Sequence, residues 1–268
     1  HQQQQEMLAH IGIDGTDHPK IENVDAALPP HEIAWVRIGM EETIKFGVVA
    51  SCAHPQVNYK QVNYSKAPYA AAPWQTITYC ECHDNHVLWD KLKLSAGDAP
   101  ETQRKEMHKL ALSIVLTSQG ISFLHAGTEF LRTKKGVENS FDSPDSINAI
   151  DWNLKTENRD VFAYVCGLIR MRKEHPAFRM MTDEQIRNNI HFEKDVPAGV
   201  VAYSINGLAC GDSWKNIFIV YNGSGKKITL PLPAGKWKTA VSDNRFKQKT
   251  GKQGMLFAPF TCSVFYQD

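Results

Sequence analysis

Near residue 187 the hydrophobic pattern of this chain changes period, and that change limits the fold more than any other feature. Before it, apolar residues recur at helical spacing. The clearest run is 103–118, where Met107, Leu110, Ala111, Ile114 and Val115 follow i, i+3, i+4, i+7, i+8. Gly120 stands where a C-terminal cap belongs. The apolar stretch 121–126 then reads as a short buried strand. A second periodic helix, 161–172, is stopped by Pro176. Upstream, 33–50 reads as a helix in a region closed by Pro55, and 75–82 as a strand. After 187 the stretches 200–205, 217–221, 228–232, 236–241 and 261–266 read as strands, with turn signals such as Asn222-Gly223-Ser224-Gly225 between them.

The first part is therefore a run of β/α units and the second a small all-β domain. Residues 1–31 are polar and broken by Gly and Pro. Residues 56–75 carry Tyr59, Tyr64, Pro68, Tyr69, Pro73 and Trp74 and read as a long surface loop. Each strand of the first part ends in a polar loop. In a β/α barrel the chemistry sits on the loops at the strands' C-terminal ends, and both conspicuous polar clusters fall there: 83–85 after one strand, 129–148 after the next.

Composition removes several function classes. Apolar residues make up 42%, which suits a packed core. Lys plus Arg is 30 and Asp plus Glu is 29, a net charge of +1 with no basic run, so nothing favours nucleic acid, and a neutral ligand fits better. No apolar run approaches the ~20 residues of a membrane span. Six cysteines at irregular spacing do not make a disulfide framework. The chain opens HQQQQEML, without an initiator Met, and reads as an internal cut of a longer protein, so its compartment stays open.

The segment TYCECHDNHVLWDKL, 78–92, is the densest in polar chemistry. Cys80, Cys82, His83, Asp84 and His86 are all competent metal ligands. Against a metal, C-x-C is not a usual structural zinc spacing and no second cysteine pair follows. On a strand, Cys80 and Cys82 would lie ~6.5–7 Å apart on one side, wide for one ion. Small core cysteines account for positions 80 and 82. They do not account for His83-Asp84-Asn85-His86, whose burial at a strand end would be costly without a task.

YCECHDNHVLWDKL closely resembles the Y-x-E-S-H-D-N-x-x-L-W-D-K-L stretch of type I pullulanases, debranching enzymes of the α-amylase superfamily (glycoside hydrolase family 13). FLHAGTEFLRTK, 123–134, and ENSFDSPDSINAIDW, 138–152, are similar to the next two stretches of the same enzymes, in order. The resemblance implies an α/β fold: the last β/α units of a (β/α)8 TIM barrel over 1–186, then a C-terminal β-sandwich domain over 187–268. It implies that Asp84 stabilises the transition state at the scissile sugar. His83 binds the same sugar, and Asn85 matches the motif with a weaker claim. Asp145 and Asn148 correspond to contacts with sugars further along the glucan. Cys82 stands where the family usually has serine. Glu81 reads as structural, and Glu129 and Arg132 as holding their loop. Phe141 and Trp152 could stack on sugar faces or pack the loop, packing being the favoured reading, and Trp89 reads as core or rim.

The family's nucleophile motif, its acid motif and its earlier D-x-x-x-N-H motif are absent from these 268 residues. The resemblance thus implies a C-terminal portion that contributes a stabilising carboxylate to a retaining cleavage of α-1,6-glucosidic bonds and is inactive alone. Partners implied are α-glucans: pullulan, starch, glycogen and maltooligosaccharides. No cofactor is required; calcium, frequent in the family, has no acidic cluster here to demand it. A cut barrel exposes an apolar edge and face and invites self-association. The alternatives are a fragment of an isoamylase-like or glycogen-debranching enzyme, and a non-catalytic glucan-binding module.

Overall fold

A computed structural model of the protein describes residues 33–63, 65–250 and 255–268; the readings for 1–31 and for Tyr64 lie outside the described residues. Helix α1 spans Ile33–Val48. After it come strand β1 (Ile77–Thr78), α2 (Leu88–Ser95), α3 (Glu101–Thr117) and β2 (Ile121–Ser122). Two short helices follow, α4 (Asp145–Asn148) and α5 (Asn153–Glu157), then α6 (Arg159–Glu174) and α7 (Asp183–Asn189). The remainder is strands: β3 (Ile190–Phe192), β4 (Val200–Asn206), β5 (Asn216–Asn222), β6 (Ile228–Leu230), β7 (Lys238–Val241), β8 (Phe246–Thr250), β9 (Met255–Phe257) and β10 (Thr261–Gln267).

The two strands of the first part are parallel neighbours, with Ile77 opposite Ile121 and Thr78 opposite Ser122. They are much shorter than the sequence pattern suggests. At the ends of their pairing, Ile121 N–H donates to Thr76 O at 3.1 Å and Phe123 N–H to Thr78 O at 2.9 Å. Beyond Phe123 the backbone turns away through left-handed Gly127. The reading of 121–126 as buried is also corrected: Ile121 is 49% and Phe123 42% exposed. The reason lies in strand alternation. Cys80 and Leu124, on the helix side, pack into the core, and Ser122 Oγ bonds Val115 O at 3.0 Å. The opposite face has no described layer over Ile121 and Phe123.

Helix α3 starts and stops within two residues of the expected bounds, but it buries more than the expected stripe. Leu110, Leu112, Val115 and Leu116 are buried together with His108, Ser113 and Thr117. Met107, Ala111 and Ile114 are only half-buried and border an apolar recess of about 260 Å³ beside Leu92 and Phe260. The helix is held between β10 on one side and α6 on the other, so its polar residues must find partners inside: Ser113 Oγ meets Tyr164 OH at 2.7 Å. Gly120 has φ +83°, and a Cβ there would stand 2.8 Å from Thr76 Oγ1 and 2.9 Å from Pro73 O. Both the dihedral and the close approach require glycine.

The β region is a six-stranded antiparallel sheet in the order β3-β4-β5-β10-β7-β8, with a two-stranded sheet β6-β9 beside it. Its central strands alternate cleanly. Val201, Tyr203, Ile205, Ile217, Ile219 and Tyr221 join the core that also contains the helices. Val200, Ala202, Phe218, Val220 and Phe265 face a second core with Ile228, Leu230, Trp237 and Phe257. Both faces are covered, which is why these strands read as unbroken apolar runs. Strands β3, β8 and β9 are additions to the five expected.

Candidate functional site

Strand β1 ends at Thr78, and the chain runs out as irregular backbone through residues 79–87 before α2 begins. This placement sets the site. His83 is 80% exposed at its side chain and Asp84 48%, and His83 Nε2 lies 3.7 Å from Asp84 Oδ2. Asn85 sits at φ +62°, a left-handed turn that asparagine tolerates better than most residues. The turn throws His83 and Asp84 outward while Val87, Leu88 and Trp89 go into the core.

Behind these residues is a set of linked polar side chains. Glu81 is 4% exposed. Its Oε2 accepts the Leu88 N–H at the start of α2, a favourable place for a carboxylate. Its Oε1 lies 3.2 Å from His125 Nδ1. His125 Nε2 is 3.3 Å from Arg132 Nη1, and Arg132 donates to Ala126 O at 3.1 Å and to Asn148 O at 2.7 Å. The chain Glu81–His125–Arg132–Asn148 thus ties the segment after β1 to the loop after β2.

Lys134 is a second tie. It is 3% exposed, and its Nζ donates to His83 O at 2.7 Å. Burial depresses its pKa, the neighbouring Arg132 adds to that, and Glu81, Cys82 and Asp84 oppose it. Asp90 holds the segment that carries Lys134, accepting from Lys134 N–H at 2.7 Å and Gly136 N–H at 3.1 Å, and from the Thr133 hydroxyl.

Asp145 is exposed in the first turn of α4. Asn148 closes that helix, and its Nδ2 donates to Ser140 O at 2.6 Å and Ser143 O at 2.9 Å. The expected roles of Glu81, Glu129 and Arg132 as braces agree with the geometry; Glu129 accepts Gly127 N–H at 2.9 Å. Trp89 is buried as expected, with Lys93 and Arg104 over its ring. Phe141 is not a packing residue, being 82% exposed; Trp152, though 65% exposed, does pack its ring on the buried Phe130, with centroids 5.7 Å apart. Their turn positions keep them outside the core. Sequence reasoning missed Asp90, His125 and Lys134 as organisers.

Cys80 is inert, its thiol pushed far up by burial. Cys82 Sγ faces Asp84 O at 3.7 Å. All six cysteines are free, and among the described residues no three His, Cys, Asp or Glu side chains are grouped to hold a metal ion. No helix among them is long and apolar enough to cross a membrane.

An exposed carboxylate and imidazole follow the end of one parallel strand and are braced to a second polar loop at the same end of its neighbour. Comparison with known proteins gives the class of the chain's relatives: pullulanases and isoamylases. More particularly, the chain is similar to pullulanases. Residues 186–245 match the family model for the pullulanase all-beta domain. The pullulanase of Bacillus subtilis (strain 168) is 36% identical over 159 residues, 59% of this chain and 22% of that protein. The crystal structure of the pullulanase of Anoxybacillus sp. LM18-11 complexed with maltotetraose superposes with a TM-score of 0.75 at 36% identity, covering 88% of this chain and 32% of that one. An isoamylase of Pseudomonas amyloderamosa is 27% identical over 157 residues, 54% of this chain and 20% of its own length. The chain spans a fifth to a third of the length of these relatives. Its mixed helix and sheet content resembles that of the pullulanase structures it superposes on.

Proposed function

We propose that this chain is the C-terminal portion of a starch- and pullulan-debranching glycoside hydrolase that cleaves α-1,6-glucosidic bonds with retention. In this reading residues 1–186 are the last staves of a (β/α)8 barrel and 187–268 its C-terminal β-domain. Retaining cleavage uses a carboxylate nucleophile and a carboxyl acid ~5–5.5 Å apart, with hydrogen bonds to the 2-hydroxyl that strengthen in the oxocarbenium-like transition state. Asp84 supplies that last contribution. His83 and Asn85 hold the same sugar, and Asp145 and Asn148 serve sugars further along the chain. Arg132 holds the Asn148 carbonyl, and the Asn148 amide holds the turn beside it. The substrates are α-glucans.

One observation carries the reading. Two adjacent parallel strands deliver both polar segments to the same end, and Glu81, His125 and Arg132 join them into one rim. The higher identity to the pullulanase than to the isoamylase favours pullulan-type substrates.

The purified 268-residue chain, incubated with pullulan, is expected to release no reducing ends above a blank, because the nucleophile and acid lie outside it. Turnover by the chain alone would overturn this division of labour.

A further inference from the structure

Phe141 is 82% exposed, the most exposed large apolar side chain among the described residues. A single exposed apolar residue is ordinary on a protein surface. This one is unusual in how its backbone is held. Ser143 N–H donates to Ser140 O at 3.0 Å, which makes Phe141 and Asp142 the two tip residues of a β-turn. Such tips usually take Gly, Asn, Asp or Ser. Both ends of the turn are bonded by one side chain, Asn148 Nδ2, to Ser140 O and Ser143 O. Ser140 itself is 2% exposed. Asn148 O is in turn held by Arg132, the residue that reaches His125 and Glu81. A phenyl ring is thus displayed in solvent from a turn that is fastened to the same network as the Asp84 segment.

We propose that Phe141 is a stacking platform for one glucosyl unit of an α-glucan, an additional subsite on the loop after β2. This rests on the reading of the rim as a glucan site and adds to it a residue that the reading leaves out. A pyranose presents one face of C–H groups. The electron-rich face of a phenyl ring attracts them, and the ring offers no hydrogen bond, so it selects for shape and apolar area. The exposed carboxylates of Asp142 and Asp145, on the same loop, provide acceptors for the sugar's hydroxyls. Because the turn is already fastened, stacking costs little ordering of the backbone. A protein surface would need a broad apolar patch. Here a single ring stands among Asp142, Pro144, Asp145 and Ser146, all exposed.

The test is an NMR titration of the whole 268-residue chain with maltotetraose, comparing wild type, F141A, F141W and D84N. At 82% exposure the ring contributes little to folding, so F141A remains folded, and F141W restores an aromatic face. The expected result is saturable binding by wild type, weakened about fivefold to tenfold in F141A and restored to within about twofold in F141W. Equal affinities for wild type and F141A, or no saturable binding by wild type, would overturn the platform. D84N separates the two ideas. Weakening by D84N with no effect of F141A sinks the platform and keeps the rim; weakening by F141A alone keeps the platform and removes Asp84 from the contact.

Discussion

Glu81 and Asp84 stand three positions apart in one motif, yet the fold assigns them opposite surroundings. Glu81 is buried as a brace between the start of α2 and His125, and Asp84 is half-exposed. The motif singled out Asp84 as a candidate, because a run of polar residues at a strand end needs a task. It could not make Asp90 or Lys134 legible as organisers: their partnership spans 44 residues and depends on how the loop after β2 folds back.

The buried histidines give a prediction at this scale. His108 is fully enclosed, and its Nε2 bonds Thr128 O at 2.7 Å while Nδ1 has no partner. Burial lowers its pKa below the ordinary value; the Thr128 carbonyl and Glu81 pull it back and Lys109 lowers it further. A histidine with a depressed folded pKa is taken up as a proton acceptor more readily in the unfolded chain. The stability it supports is therefore complete above the unfolded pKa of about 6.5 and is lost as pH falls through and below it. The urea midpoint should drop between pH 7.5 and 5.5, and should drop less in His108→Gln. Parallel pH profiles for the two proteins would refute the assignment.

Among the elements, α6 and α3 are joined by a buried cation with no carboxylate beside it. Arg172 Nη1 donates to Leu116 O at 3.1 Å, Ser118 O at 2.6 Å and Phe178 O at 2.8 Å, and Nη2 donates to Gly120 O at 2.6 Å. Three of these carbonyls lie at or just beyond the C-terminus of α3, where positive charge is favoured and acceptors are left over. Burial draws the guanidinium pKa down to about 10, so it remains charged at neutral pH. Arg172→Met would leave four carbonyls short of a donor, and the expected loss is about 3–5 kcal/mol, measured by urea unfolding. A loss below about 1 kcal/mol would mean that water replaces it freely.

Element-scale legibility followed period and length. The long helices were readable because their pattern persists for four turns. Strands β3 and β9 have three residues each, too few to show alternation. Strand β8 reads FKQKT, a polar sheet edge. At the other edge, Gln56 substitutes for a missing neighbour: its amide donates to Phe192 O at 2.8 Å and accepts Phe192 N–H at 2.9 Å. A side chain capping a strand edge from 136 residues away leaves no local pattern to read. Strands β1 and β2 were overestimated for the opposite reason. Their apolar residues continue past the ladder, and the structure describes no further strand to pair with them.

For the whole molecule, the open face over Ile121 and Phe123 is the consequence that matters most. It lies opposite the face packed on the helices, and a complete barrel would enclose it. Left open, it should bring copies of the chain together. Light scattering across a concentration series is expected to give an apparent mass that rises with concentration, and less so for Phe123→Ser. A constant mass equal to one chain would contradict the expectation. The proposed boundary near 187 does not divide the core: Phe46, Leu112 and Leu168 share one cluster with Tyr203, Ile219 and Val264. The β region thereby acts as a floor against which the helices settle, keeping β1 and β2, and so both polar segments, in position.

The central claim is that His83, Asp84 and Asn85 form one glucan-contacting rim together with the loop that carries Asp145 and Asn148. Mapping amide shifts in the labelled chain on addition of maltotetraose tests it most directly. The account predicts that 83–85 and 143–148 move together, with one affinity. Shifts confined to strands β4 to β10, with both rim segments unmoved, would contradict it.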